Sequence, residues 1–149
     1  MCKQLIFLVS FILVLVSVGS ADDIQWTGLG ADHLWSTPEN WDLGRVPTLG
    51  DEVRVDVPAA AAPNGPVIQD GIDAKAKGIF TEAAGQPTLT ITGGTLEVAE
   101  WIWWGDGADS FGVWDMSGGT VTVTDEFELG WGGGAGTLTI TGGTISAGE

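Results

Sequence analysis

One octapeptide returns along this chain at a nearly fixed interval. Thr88-Leu-Thr-Ile-Thr-Gly-Gly-Thr95 reappears as Thr137-Leu-Thr-Ile-Thr-Gly-Gly-Thr144, and Val113-Trp-Asp-Met-Ser-Gly-Gly-Thr120 between them keeps the same ending. The Gly-Gly pairs begin at 93, 118 and 142, so the spacings are 25 and 24 residues. Trp104-Gly105 and Leu129-Gly130 keep the same step. A chain that repeats itself at this period is built of stacked units that share one core, and this excludes most globular folds.

Inside each unit the apolar residues alternate with polar ones, the period of a strand rather than a helix. Leu89 and Ile91 share one face, and Thr88, Thr90 and Thr92 share the other. The equivalent inward pairs are Trp114 with Met116 and Leu138 with Ile140. After the Gly-Gly turn, Leu96 and Val98 match Val121 and Val123, and a third segment pairs Ile102 and Trp104 with Phe127 and Leu129. Glycine-rich stretches, 105–112 and 130–136, then lead into the next unit.

Three short strands per coil of about 25 residues predict an all-β fold, a right-handed parallel β-helix. Equivalent strands would stack about 4.8 Å apart, with inward residues in continuous columns. Handedness follows the general rule for parallel crossovers. On the outside, Thr90, Asp115 and Thr139 would form one row. A propeller blade needs about 40 residues, which is too long for this repeat. The calcium-binding nonapeptide of other solenoids requires an Asp where Gly133-Gly-Ala-Gly-Thr-Leu138 has leucine, so that motif is absent.

Residues 22–57 stand outside the repeat. They carry Trp26, then Trp35-Ser-Thr-Pro-Glu-Asn-Trp41, then Gly44-Arg-Val-Pro and Gly50-Asp-Glu-Val53, with Val53, Val55 and Val57 alternating behind. The open end of a solenoid exposes apolar side chains and unpaired strand edges, and three tryptophans offer the area to cover it. The segment is therefore expected to be an N-terminal cap, followed by coils over residues 58–149. This order of Trp, Gly-x-x-Pro and Gly-Asp-x-Val, followed by Gly-x-Leu-x-Ile-x-Gly-Gly-Thr coils, resembles the opening of large bacterial exported β-helix surface proteins. The coil 136–144 is also similar to autotransporter-associated repeats. The resemblance spans nearly all of residues 22–149 and implies a pectin-lyase-like solenoid that is secreted or held at the cell surface. Residues 22–149 hold no segment that resembles the β-barrel translocator or sorting segment of such proteins. The third unit ends at Glu149 near where its second strand should finish, so the chain is expected to be the first coils of a longer protein.

The first 21 residues follow a different logic. Lys3 precedes a run, Leu5–Val18, broken only by Ser10 and Ser17, and small residues Gly19, Ser20 and Ala21 come next. This is the pattern of a secretory signal peptide cleaved after Ser20 or Ala21. The run is short for a membrane span, which takes about 20 residues, although an uncleaved anchor is the alternative. No later apolar run reaches membrane length, so no span is expected in the mature chain. Cys2, the one cysteine, lies in the leader, which leaves the mature chain without disulfides.

Twenty acidic residues against five basic ones give a net charge of −15, which excludes a nucleic-acid surface. The same charge repels polyanionic substrates, and Arg45, Arg54, Lys75 and Lys77 are the only bases after the leader. Lyase chemistry, which needs a base beside a neutralised carboxylate, is not expected here. His33 is the single histidine and has no Ser or Cys partner in any triad order. Hydrolysis needs two carboxylates about 5–9 Å apart. Glu126 and Glu128 share an outward face, but outward charge on a strand also serves to block edge pairing.

Aromatic residues give the sharper candidate. With Ile102 and Trp104 inward, Trp101 and Trp103 point outward, over Glu126 and Glu128 of the next coil. Coplanar indoles flanked by carboxylates would suit a glycan, with rings meeting sugar C–H bonds and acids accepting hydroxyl protons. Burial of the rings under loop 105–112, or against the shoulder of the cap, is the competing expectation. Asp106 and Asp109 offer two carboxylates for calcium, far short of the six to eight oxygens that ion takes. No other cofactor is indicated. The sequence thus points to a non-enzymatic structural or adhesive solenoid segment of a larger cell-surface or secreted protein, with extracellular glycans or a cell-surface polymer as partners. The alternative is the N-terminal portion of a polysaccharide-active enzyme whose catalytic coils lie beyond residue 149.

Overall fold

The computed structural model describes residues 21–56, 65–82 and 84–148. The expected leader, apart from Ala21, and Val57 of the expected cap lie outside these residues. The described chain is a parallel β-solenoid of about four turns with about 24 residues per turn and almost no helix.

Its thirteen strands are β1 (Asp23–Gln25), β2 (Glu52–Arg54), β3 (Val67–Ile68), β4 (Asp73–Ala76), β5 (Gly78–Phe80), β6 (Thr88–Ile91), β7 (Thr95–Val98), β8 (Ile102–Trp104), β9 (Phe111–Met116), β10 (Thr120–Val123), β11 (Phe127–Leu129), β12 (Ala135–Ile140) and β13 (Thr144–Ala147). They form three parallel sheets, ordered β1-β2-β5-β8-β11, β4-β7-β10-β13 and β3-β6-β9-β12. Each sheet stacks strands of successive coils, so rungs pair with residues about 24 positions away, except at the first step, where the longer segment between β1 and β2 pairs Asp23 with Glu52.

The register matches the sequence periodicity. Leu89, Trp114 and Leu138 lie in one column and Ile91, Met116 and Ile140 in the next. Leu96, Val121 and Ile145 form a third, and Ile79, Ile102 and Phe127 a fourth. Leu89, Ile91, Ile102 and Trp114 are fully buried, whereas Ile140, on the outermost described coil, is 49% exposed. Thr90, Asp115 and Thr139 occupy the outward row, in register as the alternation requires.

Two features differ from the sequence expectation. The Trp-rich segment is not set apart from the solenoid, because β1 and β2 are the first two rungs of a sheet, with Ile24 on Val53 on Ile79. Between these rungs Trp26, Trp35 and Trp41 are buried and join the core. Trp26 and Trp35 both meet Trp41 edge to face, at 5.0 and 4.9 Å between ring centres, and Trp41 Nε1 donates to the Trp35 carbonyl at 2.8 Å. Strands β9 and β12 also begin two residues earlier than the octapeptide. Gly112 and Gly136 therefore lie in strands, not in loops. A side chain at 112 would meet the Trp104 ring at 2.3 Å, so this glycine is there for close approach.

The Gly-Gly turns show two needs side by side. At Gly118 a Cβ would come 2.5 Å from the Thr92 carbonyl of the preceding coil, and Gly119 has φ +81°, the left-handed region. Gly119 is also crowded, since a Cβ there would lie 2.7 Å from the Gly93 carbonyl, whereas Gly71, at φ +85°, faces open space.

Charge fixes the turn that leads into β2. Asp51, its side chain only 4% exposed, accepts Arg45 Nη1 and Nη2, each at 2.7 Å, and the Thr48 N–H and hydroxyl at 2.8 and 2.7 Å. The Arg45 hydrogen bonds hold the Asp51 carboxyl down at about 2. Asp32, through the Leu34 N–H and the Thr37 hydroxyl, and Asp73, through the Thr95 hydroxyl and Lys75, are lowered too.

Urea unfolding of Gly71→Ala should show a loss of about 1–2 kcal/mol from the left-handed conformation alone. Gly119→Ala should lose clearly more, because carbonyl contact adds to the same backbone strain. A second expectation concerns acid. A carboxyl lowered in the folded state stabilises the fold above its unfolded value of about 3.9, and this contribution fades as pH falls towards 2. The acid limb of stability against pH should therefore be shallower in Asp51→Asn, while Asp32 and Asp73 continue to contribute to it.

Candidate functional site

The outward face of the five-stranded sheet collects aromatic rings. Alternation in β8 sends Ile102 and Trp104 fully inside and leaves Trp101 and Trp103 half-buried outside. Inside, Trp104 donates Nε1 to the Val113 carbonyl at 3.3 Å, and its ring meets Trp114 edge to face. The strand is thus anchored by a buried aromatic cluster directly behind the outward pair.

Trp101 and Trp103 are brought together, but not side by side in one plane. Their rings stack face to face, 4.2 Å between centres and 15° between planes. Neighbouring coils impose this. The Trp101 ring fills the space above Gly78, where a Cβ would lie 2.6 Å from it, and so it stands against the preceding coil. Trp103 follows it and is held in turn by Trp131, 5.2 Å away and 20° from parallel. At the other end Phe80 lies 5.8 Å from Trp101, and the Arg54 guanidinium sits 5.1 Å over the Phe80 ring.

The result is a strip in the order Arg54, Phe80, Trp101, Trp103, Trp131. Mutual stacking occupies the facing surfaces of Trp101 and Trp103, so the two-ring platform expected for a sugar is not offered. The open ring is Trp131, 52% exposed, in a short 3₁₀ turn with left-handed glycines at 130, 132 and 133. Loop 105–112 does not supply the ring that covers Trp103; the loop of the next coil does.

Carboxylates line the same face. Glu126 is exposed and accepts Trp103 Nε1 at 3.4 Å, and Glu128 is in register with Trp103. Arg54 lies within ion-pair distance of Asp23, Asp56 and Glu82, and Lys77 bonds Glu52 at 2.7 Å and approaches Glu100 at 3.7 Å. Lys75 is placed between Asp73 and Glu97, and Arg45 between Asp22 and Asp51. Among the described residues no basic side chain pairs with Glu126 or Glu128.

The two residues considered for calcium are separated by environment. Asp106 is buried, 8% exposed, against Gly132 of the next loop, and Asp109 is exposed with φ +69°. Among the described residues no three His, Cys, Asp or Glu side chains come together as a metal site. His33 is also left-handed, at φ +54°, and its Nδ1 is buried without a hydrogen-bond partner.

Phe80, Gly78 and Trp131 were not singled out from sequence, and Arg54 was named only as one of four bases. Trp131 could have been, because it lies 25 positions after Asp106 on a loop that follows the outward pair. Comparison with family models, with characterised proteins and with solved structures finds no match. The class defined by the fold is therefore a parallel β-solenoid.

The stack has an optical signature. Trp101 and Trp103 are close and parallel enough for their indole transitions to couple, so Trp101→Ala should abolish the indole couplet in the circular dichroism spectrum and leave the underlying β-sheet signal intact. Gly78→Val should weaken the same couplet by displacing the Trp101 ring. An unchanged couplet in both variants would contradict the stack.

Proposed function

We propose that this chain is an exported, non-enzymatic structural solenoid that displays an adhesive surface outside the cell. The observation that carries this reading is the aromatic strip with its unpaired carboxylates, held on a rigid parallel sheet beyond an apolar leader. A solenoid of stacked rungs suits a stalk, since each coil is fixed by its neighbours along the axis. Stacked indoles and acids are binding chemistry and not the paired acid and base that bond cleavage needs. The resemblance of residues 22–149 to exported bacterial surface β-helices supports the same location, as does the strongly acidic exterior, which favours solubility.

Expression of the full chain in a bacterial host, followed by fractionation and N-terminal sequencing, tests export. The expected product lies outside the cytoplasm and begins at Ala21 or Asp22. Uncleaved protein retained in the cytoplasm would contradict the proposal.

A further inference from the structure

Two Asp-Gly pairs occur in the chain, Asp70-Gly71 and Asp106-Gly107, and their glycines share one backbone conformation, with φ +85° and +88°. Their surroundings are opposite. Asp70 and Gly71 are the exposed central residues of a turn that the Ile72 N–H closes on the Gln69 carbonyl at 3.0 Å. A Cβ on Gly71 would meet nothing within 4 Å, and among the described residues the Gly71 N–H has no acceptor. At the second pair the next coil closes over both reacting groups. Asp106 is 8% exposed, and a Cβ on Gly132 would run into its carboxylate. The Gly107 N–H donates to the Trp131 carbonyl at 3.2 Å, and a Cβ on Gly107 would lie 2.9 Å from the Glu82 carbonyl.

From this contrast we infer that Asp70 is a site of spontaneous isoaspartate formation, while the fold protects Asp106. The Gly71 amide nitrogen attacks the protonated side-chain carboxyl of Asp70. The N–C bond forms, the carboxyl C–OH bond breaks, and the hydroxyl leaves as water with the amide proton. Water then opens the cyclic imide at either carbonyl. One opening restores aspartate. The other leaves the main chain running through the Asp70 Cβ, one methylene longer, with the former main-chain carbonyl as the free carboxylate. Water is the only co-reactant. Glycine favours the step because it has no side chain to hinder the attacking nitrogen and its backbone rotates freely. Gly71 has open space for that rotation, whereas Gly107 must first break its hydrogen bond and lift loop 130–134. The extra methylene also disturbs the stacking. A Cβ on Gly94 would lie 2.5 Å from both the Gln69 and Ile72 carbonyls, so the turn is seated directly on the Gly-Gly turn of the next coil. A longer turn does not keep that fit, and the reaction loosens this corner of the solenoid.

Incubation of the full chain in ¹⁸O-labelled water at about pH 5, where a fraction of ordinary carboxyl groups is protonated, reads the reaction directly. Each hydrolysis of the imide leaves a heavy oxygen on the residue, and fragment-ion mass spectrometry places that label. In the folded chain Asp70 should take up label at least about tenfold faster than Asp106, since Asp106 reacts only from a locally opened state. In denaturing urea the two rates should converge. Asp70→Glu should abolish labelling at position 70, because the longer side chain closes a different ring far more slowly, and should leave Asp106 unchanged. Gly132→Ala forces loop 130–134 away from the Asp106 carboxylate and should raise labelling there towards its rate in urea. Equal labelling of both aspartates in the folded chain, or labelling of Asp70 in urea alone, would overturn the inference. Asp106 staying as slow in Gly132→Ala as in the wild type would overturn the protection assigned to loop 130–134. The reaction needs neither export nor adhesion, so these results stand apart from the fractionation test.

Discussion

Everything in this molecule depends on the in-register stacking of one coil on the next. A lone coil of three short strands cannot bury its apolar side chains or pair its backbone groups; both tasks are completed by the neighbouring coils. Leu89 becomes core because Trp114 lies above it, and Trp114 because Leu138 follows. The same stacking forbids a side chain at Gly118, where the Thr92 carbonyl passes too close. Burial, hydrogen bonding and glycine placement are therefore three consequences of one spacing.

That spacing also builds the candidate site. Once Ile102 and Trp104 are committed to the core, Trp101 and Trp103 have no choice but the outer face, and the coil before must make room for them. Gly78 does so. The rings then stack on each other and on Trp131, which turns an expected flat platform into an edge-on column with one open face. The exposed ring is thereby the loop residue Trp131 and not either member of the predicted pair. Because the scaffold beneath is a paired sheet with a buried aromatic cluster behind it, the column is held in place by its neighbours.

The fold was legible because the octapeptide is nearly repeated and its alternation is strict. Leu96 with Val121 and Ile102 with Phe127 could be paired from spacing alone, and they are paired. The earlier coil, β3 to β5, was harder to see because Asp70-Gly71 replaces the Gly-Gly turn and its strands are short. Gly112 and Gly136 were misleading for a physical reason: glycine signals a turn and a close contact alike, and here it marks contact with Trp104 and Leu129. Of the site, alternation revealed that Trp101 and Trp103 point outward. It could not reveal ring orientation, which is set by Gly78 and Trp131 from other coils.

Cross-linking tests the register most directly. In a Cys2→Ser background, Thr120→Cys with Thr144→Cys places two thiols on residues that face each other across parallel strands, at a separation suited to a disulfide. Thr120→Cys with Ser146→Cys shifts the pair by two residues. Mild oxidation should close the first pair quantitatively, raise the melting temperature and leave the second open. Preferential closure of the second pair, or equal closure of both, would contradict the stacked solenoid.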